Sequence, residues 1–245
     1  RHASAAERRI AVIYYNYTPG KASIGASYLN VLPQSLWQIL GRLRTDGYRL
    51  DDAPASPDDL FKEIQTFGTN ARPDQPDDLD RIGRGGHAVL WPVAEYRQLF
   101  DRLPEALRAP ILAKWGEPEA SRTMVWRDQN GKPHFVFPTH RWGNVVFAPQ
   151  PVRGWGEDPT ASYHDLQLPV HHQYLAFYLW LQTQFDADAI VHVGRHATHE
   201  WMPGKEVGFT PADPGEALVA AIPQLYIYIV DGIGEGLQAK RRGLA

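Results

Sequence analysis

Short apolar runs alternate with amphipathic stretches along most of the chain. Residues 10–15 form an apolar run, and residues 33–44 then carry apolar side chains at helical spacing. The same order returns later, where an apolar run at 189–193 precedes a helical pattern at 214–221. Because alternating strands and helices favour parallel pairing, the sequence predicts an α/β fold with a mostly parallel sheet flanked by helices.

Capping and turn residues predict the remaining elements. Ser56 and Pro57, followed by two acids, predict a helix start. Two β-like runs between 123 and 137 flank a turn signal and predict a small β-hairpin insertion. Further helices are expected at 92–102, at 171–185 and from residue 234. Further strands are expected at 144–148 and 224–230. Long loops are expected at 69–86 and 149–170. The length of 245 residues fits a single unit over 1–245, with 149–170 as a candidate sub-boundary.

Composition narrows the classes of protein. Lys and Arg number 25 against 28 Asp and Glu, so the chain lacks the basic surplus of a nucleic-acid binder, and no nucleic-acid partner is predicted. The absence of cysteine excludes disulfides, thiolate metal sites and iron–sulfur clusters. No apolar stretch approaches the ~18–20 residues of a membrane span. The chain starts without Met or a signal-peptide pattern, so we expect a fragment or a processed form.

Histidine is concentrated in one part of the chain. Six of the ten histidines lie between residues 164 and 199, namely His164, His171, His172, His192, His196 and His199. Clustered imidazoles are typical of a metal site or a proton-transfer site.

The strongest candidate group follows the predicted strand at 189–193. If the chain is helical after Gly194, His196 and Glu200 share a face, and His199 can join them. Imidazole and carboxylate ligands suit Co²⁺, Zn²⁺ or Ni²⁺. For His192 the favoured interpretation is a core residue bonded to backbone groups, with metal ligation as the alternative. A zinc-protease motif is excluded, because it requires a second histidine where Pro203 stands.

Other polar groups are weaker candidates for ligand binding. The adjacent His171 and His172 cannot share one helix face, so at most one is expected at the site, and the other is expected to be a cap or a surface residue. Arg153 beside Trp155 suits the carboxylate of a flat ligand, with packing as an equal alternative. No phosphate-binding loop is present, because Lys21 and Lys205 are not followed by Ser or Thr, so any ATP is expected on another chain.

Several motifs resemble one known family. The segments are YYNYTPGK (14–21), IGASYLN (24–30), YHD (163–165), HVG (192–194), HATHEWMPGK (196–205) and QAKRR (238–242). They run in order through nearly the whole chain and are similar to the large subunit of the cobaltochelatase/magnesium chelatase family. The resemblance implies that residues 1–245 are a single α/β chelatase core region within a longer, cytoplasmic subunit.

The resemblance also implies an activity. The large subunit binds a tetrapyrrole and inserts a divalent metal into it, while ATP is hydrolysed by AAA+ ATPase and adaptor partner subunits. Glu200 and His196 would be catalytic, and metal ligands would come from His192, His196, His199 and Glu200. The residues expected to contact the tetrapyrrole are His164, His171, His172, Arg153 and Lys205.

The motifs also bear on which metal ion is inserted. The chain departs from the usual H-G-T-L-E pattern at Ala197 and His199, and His199 adds a potential ligand. Trp201 and the QAKRR segment resemble the cobalt branch, whereas Met202 resembles the magnesium branch. Because magnesium prefers oxygen ligands, Co²⁺ insertion into a corrin precursor is favoured. The alternatives are Mg²⁺ insertion into protoporphyrin, a tetrapyrrole- or metal-binding module without chelation, and a structural fragment.

Overall fold

The structure is a computed structural model. It describes residues 3–17, 19, 21, 24, 32–75, 77–121, 123–154, 156–158, 160–161, 165–194, 199–226 and 233–243. The candidate residues His164 and His196, together with Trp155 and Ala197, lie outside these ranges.

The larger sheet has five strands in the order β5-β6-β1-β7-β8. Their bounds are β1 Ile10–Tyr14, β5 His140–Trp142, β6 Val145–Pro149, β7 Ala189–Val193 and β8 Gln224–Tyr226. Strands β6, β1, β7 and β8 are parallel, and β5 joins β6 as an antiparallel edge strand. The predicted mostly parallel sheet is confirmed.

A second, antiparallel sheet holds the predicted hairpin. It has the order β2-β4-β3, with β2 Ala88–Pro92, β3 Val125–Arg127 and β4 Pro133–Pro138. The turn between β3 and β4 is closed by Asp128, whose side chain accepts from the backbone N–H groups of Asn130 and Lys132. The hairpin insertion is therefore confirmed, and β2 extends it into a three-stranded sheet.

Helices cover both faces of the parallel sheet. They are α1 Leu32–Thr45, α2 Pro57–Phe67, α3 Asp77–Arg84, α4 Val93–Phe100, α5 Glu105–Trp115, α6 His172–Thr183, α7 Pro214–Val219 and α8 Ile233–Arg242. Alternate residues of β1 enter two separate cores: Ala11 and Ile13 pack in the one that contains α6, and Val12 and Tyr14 in the one that contains α1 and α2. None of the helices in the described part of the chain has the length and apolarity to cross a membrane.

Two helices differ from the sequence-based expectation. Helix α3 lies inside the predicted loop at 69–86, and α5 was not predicted. The acids Asp77 and Asp78 at the start of α3 and Arg84 at its end complement the helix dipole, and Asp80 pairs with Arg84 one turn on. The abundance of Asp, Pro and Gly around α3 hid these helix-forming features.

The predicted cap of α2 gives a first test. Ser56 accepts a hydrogen bond from the backbone N–H of Asp59, and Gly68 ends the helix. Ser56→Ala is expected to lower the free energy of unfolding by about 1 kcal/mol, because it leaves that N–H without its capping acceptor. Urea unfolding measures the change. Thr66→Ala in the same helix is the control, since its hydroxyl only bonds the preceding turn, and an equal loss there would contradict the capping argument.

Candidate active site at the carboxyl edge of the sheet

The parallel strands bring polar side chains to one edge of the sheet. Gln150 directly follows β6, Asn16 lies just after β1, and His192 is the penultimate residue of β7. Parallel strands end at the same edge, and open α/β sheets bind their ligands there. Asn16, Gln150 and His192 are all buried. The arrangement is therefore a polar cluster enclosed at the edge where a ligand site is expected.

The main candidates follow Gly194, the first residue after β7. Gly194 has φ +150°, and a Cβ on it would lie 2.6 Å from Cβ of Tyr15, so no other residue fits without displacement. Within the described residues that follow, His199–Trp201 forms one 3₁₀ turn. The side chains of His199 and Glu200 are both 0% exposed. The local sequence thus places an imidazole and a carboxyl group side by side in the interior.

Hydrogen bonds orient the imidazole of His199. Gln150 donates from Nε2 to the hydroxyls of Tyr174 and Tyr178, at 3.0 and 3.1 Å. The Tyr174 hydroxyl lies 3.0 Å from Nδ1 of His199. The hydroxyl can donate to Nδ1 or accept from it, so this network orients the His199 ring without fixing its tautomer.

His192 packs against His199 with its ring centroid 5.2 Å away and the rings at 78°. Its Nε2 donates to Oε1 of Gln224 at 2.8 Å, and Gln224 in turn donates to the carbonyl of Leu218. His192 is therefore a buried histidine, as favoured from the sequence, and the side-chain amide of Gln224 is one of its hydrogen-bond partners. A metal-ligand role for His192 stays a prediction.

Burial keeps both imidazoles neutral. Burial lowers the pKa of His192 to about 4, an effect that the bond to Gln224 partly offsets. Burial also lowers the pKa of His199 well below its ordinary value, and the charges of His192 and Arg153 act in the same direction. Neutral imidazole has the free lone pair that a metal ligand or a base needs. At pH 7 both imidazoles are therefore uncharged, which is the state that binds a cation.

The Glu200 carboxyl group lies within electrostatic reach of two buried side chains. Burial raises the pKa of Tyr178, and the charge of Glu200 raises it further. Burial lowers the pKa of Arg242, and the charges of Glu206, Asp213 and Glu200 oppose that shift. A buried carboxyl group that interacts electrostatically with a phenol and a guanidinium is suited to holding or passing on a proton.

Arg242 ends α8 together with the exposed Lys240 and Arg241. Its side chain is buried, Nη1 donates to the carbonyl of Met202 at 2.5 Å, and the guanidinium lies over the ring of Phe209. Helix α8 thus anchors the chain directly after Glu200.

A complete metal-ligand set is not present within the described ranges. No three His, Asp or Glu side chains there are arranged to hold a metal ion. His196, the predicted fourth member of the group, lies outside those ranges. The ligand set of His192, His196, His199 and Glu200 therefore stays a prediction.

His171 and His172 bond to groups outside the His199 network. His171 caps α6 by accepting from the N–H of Gln173, and its Nε2 faces Glu157 at 3.2 Å. His172 lies 2.7 Å from the Tyr96 hydroxyl through Nδ1 and donates from Nε2 to the carbonyl of Gly116. The expectation that one of the pair is a cap is confirmed, and their predicted contact with substrate stays a prediction.

Arg153 and Lys205 occupy different environments. Lys205 is exposed, and its backbone N–H donates to Asp213. Arg153 is buried and donates to the carbonyls of Trp201, Asp165 and Leu168. The Arg153 guanidinium thus joins the turn that carries Glu200 to the segment before α6, and a role in binding substrate stays a prediction for both residues.

Arg153→Met separates the structural role of Arg153 from ligand binding. The substitution leaves buried carbonyls without donors, so we expect the free energy of unfolding to fall by about 3 kcal/mol. Urea unfolding tests this, with Arg141→Met at an exposed position as control. Unchanged stability together with weaker tetrapyrrole binding would instead support a direct contact with substrate.

Sequence patterns gave little sign of the residues that support His199. Tyr174 and Tyr178 are four residues apart on α6, a spacing that puts both on one helix face, but α6 is apolar almost all round and is typical of a core helix. Gln150 could have been found from its position directly after a buried strand.

Known proteins are similar to this chain in sequence and in fold. The family model CobN/Magnesium Chelatase matches residues 1–245. An aerobic cobaltochelatase subunit CobN from Pseudomonas aeruginosa is 37% identical over 97% of this chain and 18% of its own length. The H subunit of the magnesium chelatase from Chlorobaculum parvum is 32% identical over 100% of this chain and 18% of its own length. The solved catalytic subunit of cobaltochelatase from Mycobacterium tuberculosis has a TM-score of 0.79 and 34% identity, over 100% of this chain and 20% of that one. The chain spans about a fifth of these relatives.

Proposed function

Because the chain belongs to the CobN/magnesium chelatase family, we propose that it forms the catalytic region of a large subunit that inserts Co²⁺ into a corrin-type tetrapyrrole. The observation that carries the proposal is the buried pair of His199 and Glu200 at the carboxyl edge of the parallel sheet. The solved relative is the catalytic subunit of a cobaltochelatase, and we infer the activity of the whole protein from that likeness.

The chemistry of insertion matches these side chains. A divalent ion that enters the ring displaces the inner N–H proton of a corrin or the two of a porphyrin, so the site needs a base as well as a temporary ligand for the ion. We assign the base to Glu200, whose carboxyl group is enclosed beside Tyr178 and Arg242. Neutral His199 would hold the arriving ion, together with His196, which the sequence places in the same motif.

Cobalt is the metal that the residues favour. Imidazole nitrogen is a better ligand for Co²⁺ than for Mg²⁺, which prefers oxygen. The higher identity to the cobaltochelatase relative than to the magnesium-chelatase relative supports the same choice. ATP hydrolysis is assigned to AAA+ and adaptor partners, because the chain has no phosphate-binding loop of its own.

Visible absorption of Co²⁺ bound to the full-length protein tests the proposal. We expect d–d bands in the wild type that weaken in His199→Gln and His196→Ala, with and without a metal-free corrinoid. His134→Gln, in the hairpin strand β4, is the matched control. Bands that survive both substitutions would place the metal elsewhere, and tetrapyrrole binding without metal insertion in the presence of the partner subunits would favour a binding module.

A further inference from the structure

A second cleft lies beside the parallel sheet, among residues that neither the His199 network nor the family motifs use, except for Lys21. Its volume is about 430 Å³. The end of α2, the segment that follows it and the first turns of α3 form most of its walls. The lining residues are Lys21, Gln65, Thr66, Thr69, Arg72, Asp78 and Arg81.

Positive charge dominates this cleft. Arg72 binds both carboxylate oxygens of Asp78, at 2.6 and 2.9 Å, and Arg81 adds a third bond at 3.2 Å. The bond from Arg72, followed by that from Arg81, lowers the pKa of Asp78 to about 2 although burial opposes the shift. Asp78 is therefore ionised at neutral pH. Its single negative charge is outnumbered in the cleft lining by the positive charges of Lys21, Arg72 and Arg81.

The exposure of these charged side chains determines which of them can contact a ligand. The Asp78 side chain is 7% exposed, whereas those of Arg72 and Arg81 are 44% and 48% exposed. Lys21 is exposed as well, and none of the ion pairs of the described residues involves it. The buried carboxylate thus fixes two guanidinium groups from below and leaves their outer edges to the cleft. Such a surface suits an anion with several carboxylate groups.

A short chain of hydrogen bonds joins this cleft to the candidate active site. Thr69 lines the cleft, and the adjacent Asn70 is buried, donating from Nδ2 to the carbonyl of Gln150 at 2.8 Å. The backbone N–H of Asn70 also donates to Oδ1 of Asn16, which follows β1. Because the Gln150 side chain bonds Tyr174, which bonds His199, both regions belong to the same edge of the sheet.

We propose that Lys21, Arg72 and Arg81 bind carboxylate substituents on the periphery of the tetrapyrrole whose nitrogens are served by His199 and Glu200. The inference rests on the proposed function and adds to it the substrate feature that is recognised. Natural tetrapyrroles carry acetate or propionate side chains, and a planar guanidinium binds a carboxylate with two parallel hydrogen bonds. The cleft would orient the ring through its edge and leave the nitrogen core to the buried pair.

Comparing a metal-free tetrapyrrole that has free carboxylates with its methyl ester tests this inference. Binding to the full-length protein is followed by absorption titration. The wild type is expected to bind the acid form more tightly than the ester. Lys21→Gln combined with Arg81→Gln should weaken binding of the acid form by about 25-fold, on the basis of about fivefold for each ion pair, and leave the ester unchanged. Arg72 is kept, because its removal would leave the buried Asp78 carboxylate without its main partner.

Arg84→Gln is the matched control, since Arg84 lies on the same helix, is 65% exposed and pairs with Asp80 outside the cleft. Its binding of the acid form should equal that of the wild type. Equal wild-type affinity for acid and ester, or a preference for the acid that survives the double substitution, would overturn the inference and leave the proposed function intact. Binding of neither ring would overturn both. A preference lost in the double variant, with metal insertion insensitive to Glu200→Gln, would overturn only the proposed function.

Discussion

Glu200→Gln in the full-length protein is expected to lower the rate of metal insertion by at least about 100-fold, with tetrapyrrole affinity changed by less than about twofold. The substitution keeps the size and hydrogen-bonding shape of the side chain and removes its basicity. Because Glu200 is 0% exposed, bulk water cannot take over the proton in its place. The loss should therefore appear in kcat rather than in the binding of the ring.

Glu216→Gln is the control for this prediction, because Glu216 is an exposed glutamate on the nearby helix α7. It should insert metal at the wild-type rate. Initial rates with the partner subunits, followed by the absorbance of the metallated ring, measure both variants. A Glu200→Gln protein with a rate within about threefold of the wild type would show that another group takes the pyrrole protons.

The fold could be predicted wherever local physics decides the structure. The apolar run that becomes β7 is too short for anything but a buried strand, and Ser56 with Gly68 fixes both ends of α2. Helix α3 was not predicted, because its stability comes from charged pairs along its surface rather than from an apolar face. The pairs are Asp80 with Arg84 and Asp78 with Arg72. Periodicity of apolar residues cannot reveal a helix of that kind.

The candidate site was only partly accessible from the sequence. His196, His199 and Glu200 stood out because two imidazoles and a carboxylate within five residues make poor core material. The supports of the last two come from distant parts of the chain: Gln150 from the end of β6, Tyr174 from α6 and Arg242 from α8. These contacts depend on the order of strands in the sheet, which determines the neighbours of β7. Local sequence patterns do not predict that order.

Acidification is expected to unfold the 245-residue chain between about pH 6 and pH 4, before the carboxylates titrate. Burial lowers the pKa of three imidazoles to about 4, those of His140, His172 and His192, and that of His199 further. In the unfolded chain the same groups titrate near about 6.5. Below that pH the unfolded state binds protons that the folded state does not bind. The free energy of unfolding is therefore at its full value above about pH 6.5 and decreases as the pH falls.

The size of this effect follows from the width of the pKa gap. Each imidazole with a folded pKa of about 4 removes about 3 kcal/mol by pH 4, and the total stability of a domain is about 5–15 kcal/mol. The carboxylates act in a lower window. Bonds from Arg72 hold the pKa of Asp78 at about 2, so its contribution is lost only below about pH 4. Acid unfolding above about pH 5 therefore reports on the histidines.

Urea unfolding between pH 7 and pH 4.5 measures this dependence, and His172→Gln identifies its source. A glutamine amide can donate to the carbonyl of Gly116 and accept from the Tyr96 hydroxyl, as His172 does, but it does not titrate. The slope of stability against pH should fall by about one proton in His172→Gln and stay unchanged in His134→Gln, on the hairpin. A slope that is equal in all three proteins would show that His172 binds its proton at the same pH in the folded and unfolded states, and that burial does not hold it neutral.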